Sequence, residues 1–217
     1  MKLAIFSDVH GNLPALQKML DDAGNVDGYI CLGDVVNYGP WSEECVDLIL
    51  SLPDHTYIEG NHEEYFQTGN YPGDNIVAKT FFEFCYPTFT AQAKITGLPK
   101  SYELGGFHFS HTIFNQYVYP DSILTLDNNY VVGHSHHQFT IEQPPYVLYN
   151  PGSVGQNRKY INVINYLTLE TDGMIFTPHA ITYDESLIIN EMRARNYPQL
   201  CIDYYDNKER YTSQSIS

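Results

Sequence analysis

Basic residues are scarce in this sequence. Its 217 residues include 11 lysines and arginines against 26 aspartates and glutamates, which gives a formal net charge of −15. Affinity for nucleic acids depends largely on basic side chains that neutralise backbone phosphates, and no basic run is present. We therefore expect no binding to a nucleic-acid backbone. Any phosphate chemistry here would need local positive charge from bound cations.

Paired cysteines and long apolar segments are also missing. The four cysteines lie far apart without a C-x-x-C pair, which indicates neither a zinc knuckle nor a disulfide framework. No apolar run approaches the length of a membrane-spanning helix, and Met1-Lys2 leads into a predicted strand without a signal-peptide pattern. These absences predict a cytoplasmic protein that does not bind membranes.

The length and composition predict one globular domain over residues 1–217. Apolar residues at helical spacing, with no strand between them, predict a helical insert over about residues 63–98, including a helix over 90–98. From Ser101 onward, short alternating runs predict an antiparallel layer against a first sheet. Residues 185–217 form a predicted C-terminal tail, helical to about Ala194, then polar, and frayed over 213–217. The sequence leaves homo-oligomer formation open.

Polar residues directly follow three short apolar runs near the N-terminus. Asp8 and His10 follow the first run, Asp34 the second, and Asn61 and His62 the third. Asp8, Asp34 and Asn61 lie 26 and 27 positions apart, which fits one strand, one helix and two loops per unit. The strand ends would then meet at one edge of a parallel sheet, where open α/β sheets bind their ligands.

Histidines follow two later apolar runs. His111 ends an alternating run, and His134 and His136 follow another at i and i+2, where they can point to the same side. Imidazole and carboxylate ligands without thiolate favour Mn, Fe, Zn, Ni or Co over Mg or Ca. Two such ions about 3.5–4 Å apart form the arrangement that clamps the attacking and leaving oxygens in phosphoester hydrolysis.

The ordered set of motifs resembles the calcineurin-like metallophosphoesterases. The set comprises Asp8-x-His10, Gly33-Asp34, Gly60-Asn61-His62-Glu63, His111 and Gly133-His-Ser-His136. Residues 7–16 and 150–156 resemble the small bacterial and archaeal branch of that family, which includes phosphodiesterases and phosphatases. The resemblance covers roughly residues 1–180. It implies an α/β fold, the two-sheet α-β-β-α sandwich of metallophosphoesterases.

The resemblance also implies the roles of the site residues. Two divalent metal ions are the implied cofactor, with Mn²⁺ as the first candidate and Fe, Ni, Zn or Co as alternatives. A hydroxide between the metals would attack phosphorus, and His62 would protonate the leaving oxygen as general acid. Asp34 would bridge the two ions. The ligands would be Asp8, His10, Asp34 and His136 for one ion, and Asp34, Asn61, His111 and His134 for the other.

Two departures from the family pattern bear on the substrate. Ser/Thr protein phosphatases of this family carry Asp-Arg where this chain has Asn37-Tyr38. An Arg that grips phosphate and an Asp that orients the acid histidine are therefore absent, and we expect Asn37 to accept a hydrogen bond from His62 instead. After Gln156 the chain continues directly into a strand, and Arg158 is a candidate substrate contact there, together with Asn61.

The sequence therefore predicts a dinuclear metal-dependent phosphoesterase whose partner is a small phosphodiester or phosphomonoester. Phosphodiesters and nucleotides are favoured over phosphoproteins, because Asn37-Tyr38 weakens an assignment as a Ser/Thr protein phosphatase-like enzyme. A dinucleoside polyphosphate hydrolase would need more cationic side chains along an extended groove. A relative in the retromer coat keeps the fold as a binding surface with a degraded metal site. A non-catalytic scaffold is thus a further alternative, although no ligand position is degraded here.

Overall fold

The computed structural model describes residues 1–113 and 116–212, and the predicted fraying of residues 213–217 lies outside this part of the chain. Over the described residues the chain forms ten strands and seven α-helices. The strands are β1 Lys2–Phe6, β2 Gly28–Cys31, β3 His55–Tyr57, β4 Ser101–Leu104, β5 Phe107–Ser110, β6 Asn129–Val132, β7 Gln138–Gln143, β8 Tyr146–Pro151, β9 Val163–Glu170 and β10 Ile175–Thr182. The helices are α1 Leu13–Ala23, α2 Ser42–Ser51, α3 Asn61–Thr68, α4 Ile76–Cys85, α5 Gln92–Ile95, α6 Ser186–Ala194 and α7 Gln199–Asp206.

The first sheet has the strand order β10-β9-β1-β2-β3. Strands β1, β2 and β3 are parallel, which confirms the predicted shared edge for the first three polar strand ends. Strands β9 and β10 are antiparallel additions to this sheet, so the prediction that they belong to a second layer is wrong. The reason lies in β9, which is buried along almost its whole length and pairs with the edge of β1 that β2 leaves open.

The second sheet has the order β4-β5-β6-β8-β7 and is mixed. Its outer pairs are antiparallel, but β5 pairs parallel with β6, and β6 with β8. The prediction of an antiparallel layer is therefore wrong at its centre. Parallel neighbours need a long crossover, and the chain between β5 and β6 supplies one over the outer face of the sheet. The ends of β5 and β6 consequently lie at the same edge.

Three apolar clusters hold the layers together. The largest contains residues of all seven helices and covers the outer face of the first sheet, where Phe6 and Tyr166 are buried. The second fills the space between the sheets and includes Ile5 and Phe109. The third lies on the outer face of the second sheet, under the segment that contains Ile113, Val118 and Leu126. This arrangement confirms the α/β two-sheet sandwich.

The helical segments differ from their predictions at two places. The helix predicted over residues 90–98 is only the short α5, which ends before Gly97 and Pro99. The tail after Ala194, predicted as polar, contains α7, because Cys201, Ile202 and Tyr205 form a buried face at helical spacing. Among the described helices, none combines the length and apolar character that crossing a membrane requires.

Glu63 in the first turn of α3 ties together the loops that follow β2 and β3. Its buried carboxylate accepts hydrogen bonds from the backbone N–H groups of Asp34 (2.7 Å) and Gly60 (2.8 Å) and from the Tyr57 hydroxyl (3.0 Å). It also accepts from the N–H groups of Val35 and Val36. Burial and the Asp34 carboxylate raise the pKa of Glu63, and these donors oppose the rise.

We predict that Glu63→Gln destabilises the protein by about 2–4 kcal/mol, because an amide NH₂ would face backbone N–H groups and leave buried donors without an acceptor. Urea unfolding followed by circular dichroism measures the change. Glu64→Gln is the matched control, since Glu64 is exposed in the same helical turn and its replacement should stay within about 0.5 kcal/mol. Equal unfolding midpoints for the two variants would contradict the role given to Glu63.

Candidate metal centre

The predicted site residues follow the ends of five strands from both sheets. Asp8 and His10 follow β1, Asp34 follows β2, and Asn61 and His62 open α3 just after β3. From the second sheet, His111 follows β5, and His134 and His136 follow β6. Side chains from the two sheets approach closely there, because the parallel strands of each sheet end at the same edge of the sandwich.

The backbone at this edge is strained in a consistent way. Five of the predicted ligands have the left-handed φ values that non-glycine residues rarely adopt: Asp8 (57°), His10 (50°), Asp34 (54°), His134 (70°) and His136 (61°). Each such residue costs of order 1–3 kcal/mol, and such strain persists only where the surroundings enforce it. The concentration of left-handed residues in these loops indicates that the fold holds the ligand side chains in fixed positions for a function.

Hydrogen bonds between the loops enforce this geometry. The N–H groups of Asp8 and His10 donate to the carbonyls of Gly33 and Asp34, both at 3.0 Å. Gly133 approaches so closely that a Cβ atom there would lie 2.1 Å from Ser7 Oγ. The two sheets are thus locked together at the site, and glycine is needed at the point of closest approach.

The first ligand cluster consists of Asp8, His10 and His136. The Nε2 atoms of the two histidines are 3.1 Å apart, and Nε2 of His136 lies 3.2 Å from Oδ1 of Asp8. Both Nδ1 atoms face backbone carbonyls, of Val36 for His10 (3.3 Å) and of Gln156 for His136 (2.9 Å). A carbonyl only accepts, so Nδ1 carries the proton and both Nε2 lone pairs point into the cluster.

The protonation states of this cluster suit a cation. Although burial opposes it, positive charge on His136 lowers the pKa of Asp8 to about 2, so its carboxylate is charged when a cation or a proton lies beside it. Burial and the neighbouring histidines hold the pKa of His10 well below its usual value. Asp8 Oδ1 is buried without a hydrogen-bond donor. Two lone pairs and an orphaned carboxylate oxygen facing each other form a site that a metal ion would satisfy.

The second ligand cluster consists of Asp34, Asn61, His111 and His134. Nε2 of His111 lies 3.1 Å from Oδ2 of Asp34, 3.2 Å from Oδ1 of Asn61 and 3.0 Å from Nδ1 of His134. Nδ1 of His111 donates to the Leu32 carbonyl at 2.8 Å, so its Nε2 is again the ligand atom. Burial opposes protonation of His111, but Asp34 overcomes it and raises the pKa to about 9. A positive charge is therefore favoured between His111 and Asp34.

Asp34 lies between the two clusters. It belongs to the group with His111 and His134, and also to a group with His10 and His62. Its Oδ1 accepts the backbone N–H of His62 at 2.8 Å. Despite its burial, the histidines around it lower its pKa well below the usual value, so that it stays charged. This position fits the bridging role that the family resemblance implies.

His62 is buried beside the clusters, with its ring 5.0 Å from the ring of His10. Its Nδ1 lies 3.0 Å from Nδ2 of Asn37. A 180° rotation of this amide would bring Oδ1 to the same place, so the acceptance of a hydrogen bond from His62 by Asn37 stays a prediction. Oδ1 of Asn37 is buried without a donor. Burial lowers the pKa of His62.

Arg158 is exposed beside the loop of the β6 histidines. Its backbone N–H donates to the His136 carbonyl at 3.3 Å, and its Nε to the Ser135 carbonyl at 3.4 Å. Burial raises the pKa values of Tyr38 and Tyr117, and the nearby positive charge of Arg158 opposes the rise in both. Arg158 therefore lies close enough to the site for the predicted substrate contact, which stays a prediction.

A cavity of about 410 Å³ opens beside the second cluster. Tyr117 forms one wall with a side chain that is 57% exposed, and its ring centroid lies 3.8 Å from that of His134. Tyr65 lies on the other side, with its ring 5.4 Å from that of His62. The cavity is lined by Glu59, Gly60, Asn61, Glu64, Tyr65, Lys100, His111, Thr112, Tyr117 and His134.

Three features that shape this site were not predicted from the sequence. Glu63 is part of the Gly60-Asn61-His62-Glu63 motif, but no role was predicted for it, although a glutamate at the third position of a helix is a known signal of a capping interaction. The carbonyls of Leu32, Val36 and Gln156 set the histidine tautomers, and no sequence signal reveals them. Tyr117 belongs to an irregular segment, so no periodic pattern could have placed it beside His134.

Several known proteins are similar to this chain in sequence or in fold. Protein MJ0912 of Methanocaldococcus jannaschii, described as uncharacterized, is 26% identical over an alignment of 216 positions that covers 84% of this chain and 88% of that protein. A metallophosphoesterase from Sphaerobacter thermophilus has a crystal structure with a TM-score of 0.80 and 28% identity, covering 95% of this chain and 98% of its own. The hypothetical protein PH1004 from Pyrococcus horikoshii OT3 shares the fold with a TM-score of 0.75 at 13% identity, covering 94% and 97%.

The family comparison covers the part of the chain that carries every predicted ligand. The sequence model of the calcineurin-like phosphoesterases matches residues 1–163, which include both clusters and the loops that hold them. The chain therefore belongs to the calcineurin-like phosphoesterase family.

Proposed function

We propose that the protein is a dinuclear metal-dependent phosphoesterase that hydrolyses a small phosphodiester. The observation that carries the proposal is the pair of ligand clusters, from both sheets, that meet at Asp34. When two divalent ions are bound there, they supply positive charge to the phosphoryl oxygens and activate the attacking water. Mn²⁺ is the first candidate, since the ligands are imidazoles, carboxylates and an amide without thiolate.

The preference for a diester rests on the residues around the clusters. A phosphomonoester carries up to two negative charges at neutral pH, and a diester carries one. Tyr38 stands where protein phosphatases of the family place a phosphate-gripping Arg, and its ring packs 4.8 Å from that of His10. Because this chain lacks that fixed positive charge, its site favours the ester that carries a single negative charge. The cavity of about 410 Å³ lies in the range of small-molecule sites and accommodates one ester substituent.

His62 is the proposed general acid. The acid form is the imidazolium, which gives its Nε2 proton to the leaving oxygen and keeps its Nδ1 proton beside the Asn37 side chain, whose Oδ1 is buried without a donor. The rings of Tyr38 and Tyr65 lie 5.6 Å and 5.4 Å from the His62 ring and limit its movement. The proposed setting is the cytoplasm, since the four cysteines are free buried thiols, as a reducing compartment favours.

Metal binding is tested by titrating Mn²⁺ into metal-free protein in a calorimeter. We expect two ions per chain, and a higher unfolding temperature that a chelator reverses. His10→Ala removes a ligand of the first cluster alone and should leave one ion bound with near-normal affinity. His108→Ala, a change on the surface of β5, should keep both sites. If the wild-type protein shows no tight binding, the scaffold alternative is favoured over an enzyme.

Substrate class is tested with the Mn²⁺-loaded protein on an aryl phosphodiester and the matching monoester. We expect faster turnover of the diester, because its single charge suits a site with one fixed cation fewer. Asp34→Asn removes the negative charge shared by both clusters and should abolish turnover of both esters. A faster monoester rate would instead make the protein a phosphatase, and activity that survives in Asp34→Asn would contradict the dinuclear site.

The general-acid role is tested by varying the leaving group. His62→Ala should slow diesters with poor leaving groups by about 100-fold or more, and p-nitrophenyl diesters much less, because p-nitrophenolate departs without a proton. The readout is the slope of log kcat/KM against leaving-group pKa, which should steepen in the variant. His108→Ala serves as the matched control. Equal slowing of all esters would remove the general-acid role from His62.

A further inference from the structure

Two basic side chains without a carboxylate partner lie together beside the candidate metal centre. Six of the 11 lysines and arginines pair with carboxylates, namely Lys79, Lys94, Lys100, Arg193, Arg195 and Arg210. Within residues 1–113 and 116–212, no such pair is formed by Lys2, Lys18, Arg158, Lys159 or Lys208. Of these, Arg158 and Lys208 are brought close together, because the Lys208 amine lies 3.3 Å from the carbonyl of Asn157, the residue directly before Arg158.

Lys208 follows α7 and is half-buried, with its amine turned toward the protein. Its Nζ lies 3.5 Å from Oε1 of Gln156 and 3.3 Å from the carbonyl of Asn157, and 4.5 Å from the ring centroid of Tyr204. Both oxygen distances are long for a charged amine, whose hydrogen bonds to anions are typically about 2.7–2.9 Å. The ammonium group therefore retains hydrogen-bonding capacity for a ligand.

The surroundings of Lys208 lead directly to the first ligand cluster. Gln156, whose side chain the amine approaches, accepts the Nδ1 proton of His136 at its backbone carbonyl. On the other side, the Tyr204 ring lies 6.0 Å from that of Tyr38, which in turn contacts His10. Lys208 is thus one layer of side chains away from the histidines of this cluster.

Arg158 and Lys208 influence each other electrostatically. Burial and the nearby guanidinium of Arg158 together lower the pKa of Lys208 to about 7. The charge of Arg158 also acts on Tyr204, the ring beneath the amine. An anion between the two groups would oppose both effects and favour the protonated form of Lys208.

We propose that Arg158 and Lys208 form an anion subsite for a second anionic group of the substrate, a phosphate or a carboxylate, next to the ester held at the metal centre. The inference rests on the proposed function and adds a specificity element to it. Lys208 lies beyond residues 1–163, the part matched by the family, so the C-terminal helices of this chain would supply part of the substrate recognition.

Three probes test the subsite in calorimetric titrations of the Mn²⁺-loaded protein. Methylphosphonate offers one anionic group, propane-1,3-diphosphonate offers two phosphonates, and 4-phosphonobutyrate offers a phosphonate and a carboxylate. We expect at least one two-headed probe to bind about tenfold or more tightly than methylphosphonate, since a charged hydrogen bond typically contributes that much. The tighter of the two identifies the second group as a phosphate or a carboxylate.

Variants assign the preference to the two basic residues. Lys208→Met should remove most of the advantage of the two-headed probe and leave methylphosphonate binding unchanged, and Arg158→Met should weaken the two-headed probe more than methylphosphonate. Lys208→Arg should retain it. Lys18→Met, at an exposed position of α1, makes the same change in net charge and should have no effect.

Three results would overturn the subsite. They are an absent preference for two-headed probes in the wild-type protein, equal weakening of all three probes by Lys208→Met, and a lower unfolding temperature of that variant without a change in affinity. The last would make Lys208 a structural contact of α7. Because the titrations report binding, selective binding without hydrolysis of any ester would refute the proposed function and leave the subsite standing.

Discussion

The lone pairs of several buried ligand atoms point at one another in this structure, and only a positive charge between them makes that arrangement stable. The Nε2 atoms of His10 and His136 lie 3.1 Å apart, with both Nδ1 protons committed to carbonyls. The orphaned oxygen of Asp8 joins them in a space closed to water. Such a cluster is repulsive unless a cation or a proton occupies it. At the second cluster a proton on His111 meets this need, as its raised pKa indicates, and a metal ion would displace that proton.

Holding these groups together requires backbone conformations that the chain would not adopt by itself. Asp8 and Asp34 have left-handed φ values, and each loop is held by hydrogen bonds from another loop rather than from within its own strand. Glu63 adds a buried carboxylate that gathers the N–H groups of the loop after β2. Strain in the ligand loops is therefore offset by these hydrogen bonds and by the parallel strands that the loops follow.

The sequence was informative where function restricts residue type and uninformative where packing decides. Asp8, Asp34 and His134 could be predicted because a polar residue at the end of a buried strand is costly unless it binds a partner. The position of β9 in the first sheet could not be predicted, since alternation shows that a strand is half-buried but not which sheet edge it joins. The pairing of Asn37 with His62 and the position of Lys208 depend on contacts between segments distant in the chain. Periodicity carries no information on such contacts.

The distribution of positive charge connects the fold to the choice of substrate. Tyr38 replaces the phosphate-gripping Arg of the related phosphatases with a ring that packs on His10, which removes a cation from the reacting phosphate itself. Arg158 and Lys208 supply positive charge near the site instead, on the side of His136 and away from the reacting phosphate. A chain with a net charge of −15 repels anions at long range, so these few fixed cations select among them at short range. The arrangement favours a substrate whose ester carries a single charge and whose second anionic group lies apart from it.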